Sequence, residues 1–355
     1  MLMPAPCSAA QCAVIVLNYG NAPDTVACLR ALADMSARPG QVIVVDNHSP
    51  DDSVARIMRQ WGAFAAPVLV READIDEGFP APGARHLLIA RSVNDGFSAG
   101  NNAGIRLALR NRECRAVWLL NNDTLPEPDA LKALCARMSE EPGPGVVGST
   151  LVYAHDRKTV QTLAGGRFNR LLGTTSAFGG GQALAHALCL WPQGRVERQL
   201  DDIIGASMLI RRAVLEKAGL LDEKFFLYGE ETEFCLRARR AGFRCAWAPD
   251  SLVYHKEGGT TGAESAAEGR TFRRPAWVDY LGLRNRMYMM RKHSPWTLAL
   301  VVLSYAGVML NRARRGQAER IPLVCRAAWD GLRGRMGRPD HLFPALRDAH
   351  ENPGH

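Results

Sequence analysis

Residues 13–17, Ala-Val-Ile-Val-Leu, form a short unbroken apolar run that ends at Asn18. Asp24 then opens a stretch in which Val26, Leu29, Leu32 and Met35 recur at helical spacing. The first pattern predicts a buried strand and the second an amphipathic helix behind it. The unit repeats, because Val42-Ile43-Val44-Val45 ends in Asp46-Asn47 and precedes a helical face of Val54, Ile57, Met58 and Trp61. Leu87-Leu88-Ile89 predicts a third strand, residues 99–109 a helix, Ala116-Val117-Trp118-Leu119-Leu120 a fourth strand, and residues 128–138 a further helix. Alternating apolar strands and amphipathic helices imply the α/β class, with a mostly parallel sheet covered by helices on both faces.

In such sheets ligands bind beyond the carboxyl ends of the strands. Those ends carry Asn18, Asp46, Asn94 and Asn121-Asn122-Asp123, so polar groups from four strands should converge on one rim. After Tyr153 the pattern loosens into a glycine-rich segment, Gly165-Gly166 through Gly179-Gly180-Gly181, read as irregular structure over that rim. Regularity returns with the apolar run 203–210, a helix near residues 230–241 and a strand Ser251-Leu252-Val253-Tyr254. From Trp277 the composition turns to Arg, Met, Leu and Trp, which places a boundary near residues 262–274. The expected organisation is an α/β unit over 11–262, divided into halves 11–150 and 151–262, followed by a basic, apolar helical region over 263–355.

Composition narrows the class further. Hydrophobic residues make up 47% of the 355 and charged residues 23%, which excludes a disordered chain or a polytopic membrane protein. The net charge of +8 is uneven: between Arg270 and Arg338, 15 Lys and Arg face 3 Asp and Glu, a local +12 that leaves −4 for the rest. A basic tail behind a slightly acidic body points to an anionic surface met by one end only. Nine scattered cysteines, odd in number and without a C-x-x-C pair, argue against a disulfide framework or a zinc site. With no basic, apolar leader at the start of the chain, the expected compartment is the reducing cytoplasm.

Two nucleotide-binding devices are excluded. The G-x-G-x-x-G match at residues 143–148 precedes a strand instead of joining a strand to a helix, and no G-x-x-x-x-G-K-[ST] occurs. A third remains in residues 94–104, where Gly96, Gly100 and Gly104 lead into a helix start. Glycines let backbone amides approach a phosphate closely, although the same residues also make a plain turn and cap. Asp123 leaves the sheet where one carboxylate could hold Mg²⁺ or Mn²⁺ beside a diphosphate; its alternative is to cap the following helix. Glu230-Glu231-Thr232-Glu233 crowds the first turn of a helix. The helix dipole favours carboxylates there, and crowding also raises their pKa towards that of a general base. His255 ends a strand ahead of a flexible loop, as a metal ligand or an ordinary hydrogen-bonding residue.

Taken together, these residues resemble a family 2 glycosyltransferase of the rhamnosyltransferase or galactofuranosyltransferase-like branch, with the GT-A fold. The resemblance covers residues 12–293 and rests on motifs in the family's order. These are the Asn18-Tyr19 strand end, Val-Val-Asp46-Asn-His-Ser, residues 94–104, Leu-Leu-Asn121-Asn122-Asp123-Thr, and Ile-Gly205-Ala-Ser-Met-Leu-Ile-Arg-Arg. They continue with residues 221–237, Val-Tyr-His255-Lys, and Tyr280-Leu-Gly-Leu-Arg-Asn-Arg.

The resemblance implies that Asn18, Tyr19 and Asp46 hold the nucleobase and ribose, and that Asn94, Gly100 and Asn101 lie along the diphosphate. Asn121 and Asn122 open the DXD-like triplet whose last residue, Asp123, binds a divalent cation (Mg²⁺ or Mn²⁺) with help from His255. Glu231 falls on the general base, with Glu230 and Glu233 beside it and Arg237 on the same helix. Two departures stand out: Asn121 replaces an Asp of the triplet, and Glu231 replaces the usual Asp. The implied chemistry is an inverting transfer of a single sugar from a nucleotide-diphosphate sugar to a glycan or lipid-linked acceptor in cell-surface polysaccharide biosynthesis, with no nucleic acid involved. A pyrophosphorylase would bring a Gly-rich, Lys-containing signature after Leu17, and a processive synthase a Q-x-x-R-W motif; neither occurs. A sugar-nucleotide-binding protein of weak activity is the remaining alternative, prompted by the thinned triplet. Residues 296–310, apolar but shorter than the ~20 residues of a spanning helix, lie between Arg291-Lys292-His293 and Arg312, Arg314 and Arg315. The expectation is peripheral contact with anionic lipid at the inner face of the membrane, against a buried helix or a dimer contact.

Overall fold

The computed structural model describes residues 7–76, 84–140, 143–256, 275–344 and 346. The first half runs β1 (Cys12–Asn18), α1 (Ala22–Ala33), β2 (Gln41–Asp46), α2 (Ser53–Trp61), β3 (Val68–Arg71), α3 (Glu72–Asp76), β4 (His86–Ala90), α4 (Phe97–Arg110) and β5 (Ala116–Asn121). Then come β6 (Thr124–Pro126), α5 (Ala130–Ser139), β7 (Val146–Tyr153), β8 (Val160–Leu163), β9 (Gly165–Asn169) and β10 (Thr174–Ala177). They are followed by α6 (Leu184–Leu190), α7 (Gln193–Glu197), β11 (Asp202–Ile203), β12 (Ser207–Arg211), α8 (Arg212–Ala218), α9 (Glu230–Arg240) and β13 (Cys245–His255). Three helices end the order: α10 (Ala276–His293), α11 (Leu298–Arg314) and α12 (Ile321–Arg333).

One sheet, ordered β3-β4-β2-β1-β5-β12-β7-β13-β6 with β8 on β7, runs through both halves of the expected α/β unit. Its first five strands are all parallel, while β12 enters antiparallel between β5 and β7. The unbroken apolar runs follow from burial on both faces. Ala13 and Ile15 face a cluster with Ala103, Ile105 and Leu107 of α4, whereas Val14 and Val16 face one with Val26, Leu29 and Leu32 of α1 and Leu131 and Leu134 of α5. The helix expected to open at Asp24 begins at Ala22, with the Asn21 side chain accepting from the Asp24 N–H.

Three expectations are corrected. The glycine-rich stretch is not irregular: β8 pairs with β7, and β9 pairs with β10 and β11 in a second, three-stranded sheet. The apolar run 203–210 is two strands, β11 and β12, in different sheets. The strand expected over residues 251–254 is the end of β13, whose register with β7 shifts between Ala248 and Leu252. The boundary placed near 262–274 lies outside the described residues. The C-terminal helices form a layer of their own, in which Met287, Met290, Val301, Tyr305 and Val324 pack against Phe168, Phe225 and Leu236. Gly331 lets α12 close onto α10, since a Cβ there would sit 2.3 Å from the Arg284 carbonyl oxygen.

Candidate active site

The rim is built as the strand ends require. Asn18 Nδ2 donates to Asp46 Oδ1 at 2.7 Å and to Ser49 Oγ at 3.0 Å, while Thr25 Oγ1 donates to Asn18 Oδ1 at 2.7 Å. Parallel pairing brings Asn18 opposite Asp46, and a buried charge-assisted bond of this kind contributes about 1.5–3 kcal/mol. Asn122 Nδ2 joins the same network through Thr25 Oγ1 at 3.0 Å. Tyr19 lies beside them; burial pushes its phenol up, against a hydrogen bond with Asn94. Asn94 Oδ1 accepts from Asn47 Nδ2 at 2.8 Å and from the Gly96 N–H at 3.0 Å.

The glycines of α4 have a packing role that spacing alone could not separate from phosphate binding. A Cβ on Gly100 would meet Leu17 Cδ1 at 2.5 Å, and one on Gly104 would meet Ile15 Cγ2 at 2.8 Å. Both therefore face the sheet, and Asn101 Nδ2 is spent on the Phe97 carbonyl of its own helix at 2.9 Å. Gly96 adopts φ +99°, where a Cβ would strike the Phe226 backbone, and the Phe97 N–H donates to the Phe226 carbonyl at 2.7 Å. That bond ties the start of α4 to the segment leading into α9.

Asp123 does not cap a helix, because β6 intervenes before α5 and Asp129 occupies the cap position of that helix. Instead, antiparallel pairing of β13 with β6 sets His255 opposite Thr124, and the Lys256 N–H donates to the Asp123 carbonyl at 3.0 Å. His255 Nε2 consequently lies 3.2 Å from Asp123 Oδ1, both side chains being nearly buried. His255 Nδ1 lies 2.8 Å from Gln161 Oε1, so both ring nitrogens face acceptor oxygens, and Nε2 can offer a lone pair to a cation when the proton sits on Nδ1. One carboxylate oxygen and one imidazole nitrogen suit Mg²⁺ or Mn²⁺, which keep waters and take remaining ligands from a diphosphate. Asn121 ends β5 on the same turn, its N–H donating to the Ala206 carbonyl at 3.1 Å.

The three glutamates of α9 separate by environment. Glu230 is fully buried with Oε2 unpartnered, and burial plus the neighbouring Glu231 charge pushes its carboxyl well up. Burial would also raise Glu233, but His293, Arg237 and Lys292 outweigh it and hold the carboxyl at about 2. Arg237 Nε and Lys292 Nζ lie 2.8 and 2.7 Å from its oxygens. Glu233 is thus an anchor between α9 and α10 and lacks the basicity of a proton acceptor. Glu231 alone of the three lines a cavity of about 290 Å³, together with Tyr153, Gln161, Thr175, Asp202 and Thr232. Burial raises its carboxyl above the ordinary range, and Oε1 accepts from the Gly205 N–H at 3.2 Å.

Sequence reasoning missed several residues here. Asp202 is nine-tenths buried, accepts from Thr232 Oγ1 at 2.7 Å and the Gly166 N–H at 2.8 Å, and is pushed up to about 7 by burial. Its place just before the Ile-Gly-Ala-Ser motif was the available signal. Gln161 had none. Asn285, inside a quoted motif, donates to the carbonyls of Leu227 and Tyr228, at 2.8 Å each. It steadies the left-handed turn at Tyr228 (φ 74°) and Gly229 (φ 91°) from which α9 starts.

A family model described as "Glycosyltransferase like family 2" matches residues 10–279. The low-salt glycan biosynthesis hexosyltransferase Agl10 of Haloferax volcanii is 26% identical over 341 residues, 93% of each chain. The N-acetylglucosaminyl-diphospho-decaprenol L-rhamnosyltransferase of Mycobacterium tuberculosis is 21% identical over 344 residues, 88% of this chain and 97% of its own. Among solved structures, S. aureus TarS 1–349 in complex with UDP-GlcNAc aligns at TM-score 0.52 and 15% identity, over 91% of this chain and 81% of its own. GalNAc-T7 with UDP, GalNAc and Mn²⁺ aligns at TM-score 0.51 and 10% identity, over 81% of this chain and 48% of its own. With a family match across most of the chain and the rim built from the family's motifs in order, this protein belongs to glycosyltransferase-like family 2, a glycosyltransferase of the GT-A fold.

Proposed function

We propose that this enzyme transfers a single sugar, with inversion, from a nucleotide-diphosphate sugar to a hydroxyl of a glycan or lipid-linked glycan acceptor. The observation that carries the reading is the double placement of Gln161, which lines the cavity of Glu231 and also orients His255 beside Asp123. An acceptor in that cavity meets a proton acceptor on one side and the donor's diphosphate site on the other. Glu231 takes the proton of the attacking hydroxyl, for which a raised carboxyl is suited; such assistance typically gives about 10²- to 10⁴-fold. Asn18, Asp46 and Tyr19 hold the nucleoside, and Asn94 and the start of α4 border the diphosphate. Asp123 and His255 hold a divalent cation, which when bound neutralises charge on the departing diphosphate. The Mycobacterium tuberculosis relative, whose name specifies an acceptor on a diphosphate-linked polyprenol, supports a lipid-linked acceptor.

The C-terminal layer supports attachment to a membrane surface. Pro295–Arg314 is a 20-residue stretch whose most apolar 18 residues have a mean hydropathy of 1.3 and are 17% buried, longer than the apolar run read from sequence. Val301 and Tyr305 pack inward and Arg286 Nη2 donates to Ser304 Oγ at 2.6 Å, so one face is docked on protein. Trp296, 77% exposed, and Leu303, 69% exposed, lie on the other side with Val302 and Leu310. Exposed Arg314 and Arg315 end the helix, an arrangement suited to lying in an anionic interface.

Donor turnover by the purified chain tests the assignment, scanning UDP-, dTDP- and GDP-sugars for diphosphonucleoside release with Mn²⁺, Mg²⁺ or EDTA and an added lipid extract. Release from one donor that is lost in Glu231→Gln, with donor binding kept, is expected. Loss with EDTA and in Asp123→Ala is expected as well. Turnover that survives Glu231→Gln removes the base assignment, and turnover that survives EDTA removes the metal.

A further inference from the structure

The thiols that looked scattered in sequence are not scattered in space. Cys7 precedes the first strand, Cys12 opens β1, and Cys135 sits on α5. Cys12 Sγ lies 3.5 Å from both Cys7 Sγ and Cys135 Sγ, and all three sulfurs lie within 4.8 Å of one another. All three residues are buried, in the apolar cluster that holds Val14, Trp118, Leu131 and Met138. Among the described residues no carboxylate, imidazole or fourth thiol joins the group. The cluster stands at the opposite end of β1 from Asn18, about 20 Å away at ~3.3 Å per residue, and has no part in the transfer.

We propose that Cys7, Cys12 and Cys135 form a three-thiolate site for one Cu(I) ion. A soft, sulfur-only donor set excludes Mg²⁺, Ca²⁺ and Mn²⁺ and selects thiophilic ions. Structural Zn²⁺ is almost always four-coordinate, and this cluster supplies three protein ligands. A cation in the plane of three sulfurs at about 2.3 Å needs them about 4 Å apart; two of the separations are 3.5 Å and the third is within 4.8 Å. Arg211, whose guanidinium donates to the Met138 carbonyl at the end of α5, offsets part of the negative charge of the thiolates. Binding displaces the thiol protons to solvent and changes no oxidation state. It would staple the segment before β1 to α5, a junction that the Cys7 N–H to Ser139 Oγ bond at 2.9 Å also holds.

The test uses the full reduced chain without air, carrying Cys189→Ser and Cys325→Ser to remove the two exposed thiols. Cu(I) is supplied through the chromogenic chelator bathocuproine disulfonate. The expected result is one Cu(I) retained per chain, three sulfur neighbours by X-ray absorption, and a higher Tm. Adding Cys12→Ser should abolish retention while donor turnover stays unchanged, and adding Cys28→Ser, at a buried thiol elsewhere, should leave retention intact. No retention against the chelator, two sulfur neighbours, retention that persists in Cys12→Ser, or tighter binding of Zn²⁺ than of Cu(I) would each overturn the assignment. Stoichiometry and sulfur count are read without Cys12→Ser, so a folding defect in that variant does not blunt the test.

Discussion

The Gly205 N–H points at Glu231 Oε1 from 3.2 Å, and a Cβ on Gly205 would stand 2.7 Å from that same oxygen. The turn between β11 and β12 therefore positions the carboxylate of α9 as closely as a glycine permits. Gly205→Ala should displace Glu231 within the cavity without touching the hydrogen-bond network of Asn18, Asp46 and Thr25. We expect kcat to fall by about 10², with the donor Kd unchanged by calorimetry. An unchanged kcat would show that the placement of Glu231 is not used.

Asp202 and Glu233 give the fold opposite acid–base dependences. The folded-state pKa of Asp202, about 7, stands above its ordinary 3.8, so the stability linked to it is present below pH 4 and is lost as pH rises through 7. At about 1.4 kcal/mol per unit this reaches about 4 kcal/mol. Asp202→Asn should therefore flatten the decline of Tm between pH 4 and 7. Glu233, held at about 2 against an ordinary 4.5, contributes stability above pH 4.5 that is lost as pH falls through 2. Glu233→Gln should cost up to about 3 kcal/mol at pH 7 and leave the kcat of the folded fraction nearly intact, unlike Glu231→Gln. Thermal melts across pH, paired with turnover, check both signs.

Gln161 touches the proposed cation site through His255. Outer-shell partners of metal-binding histidines are worth about 10- to 100-fold in metal affinity, so Gln161→Ala should raise the Mn²⁺ concentration for half-maximal turnover by that factor. Rescue at high Mn²⁺ and a flat donor Kd distinguish this from a collapsed cavity. Gln161→Glu, which keeps an acceptor, should lose less.

Membrane docking through α11 is checked by flotation with phosphatidylglycerol and phosphatidylcholine vesicles. Binding should need the anionic lipid and weaken with salt. Arg314→Gln with Arg315→Gln should lower it by roughly 30-fold, and Trp296→Ala should lower it independently, while turnover on a soluble acceptor is unaffected. Equal binding to neutral vesicles would assign the helix another role.

Much of this molecule is legible in its sequence, because strand and helix are written in local periodicity. Buried runs such as 13–17 and 42–45 declare parallel strands, and the polar residue closing each run must fall on the rim where such sheets bind ligands. Asn18, Asp46 and Asp123 could be named on those grounds, and the order of motifs was sufficient to suggest the family. Tertiary structure decided whatever depends on partners distant in the chain. Strand register, set by the pairing of β6 with β13, brings His255 to Asp123. The cavity and the Lys292 and His293 side chains of α10 separate Glu231 from Glu233, which share one helical turn and one local composition. The same cause turned a glycine-rich stretch into β9 and β10 and gathered three thiols from residues 7, 12 and 135. Pairing and packing energies belong to the juxtaposed surfaces, and no stretch of sequence carries both sides of such a contact.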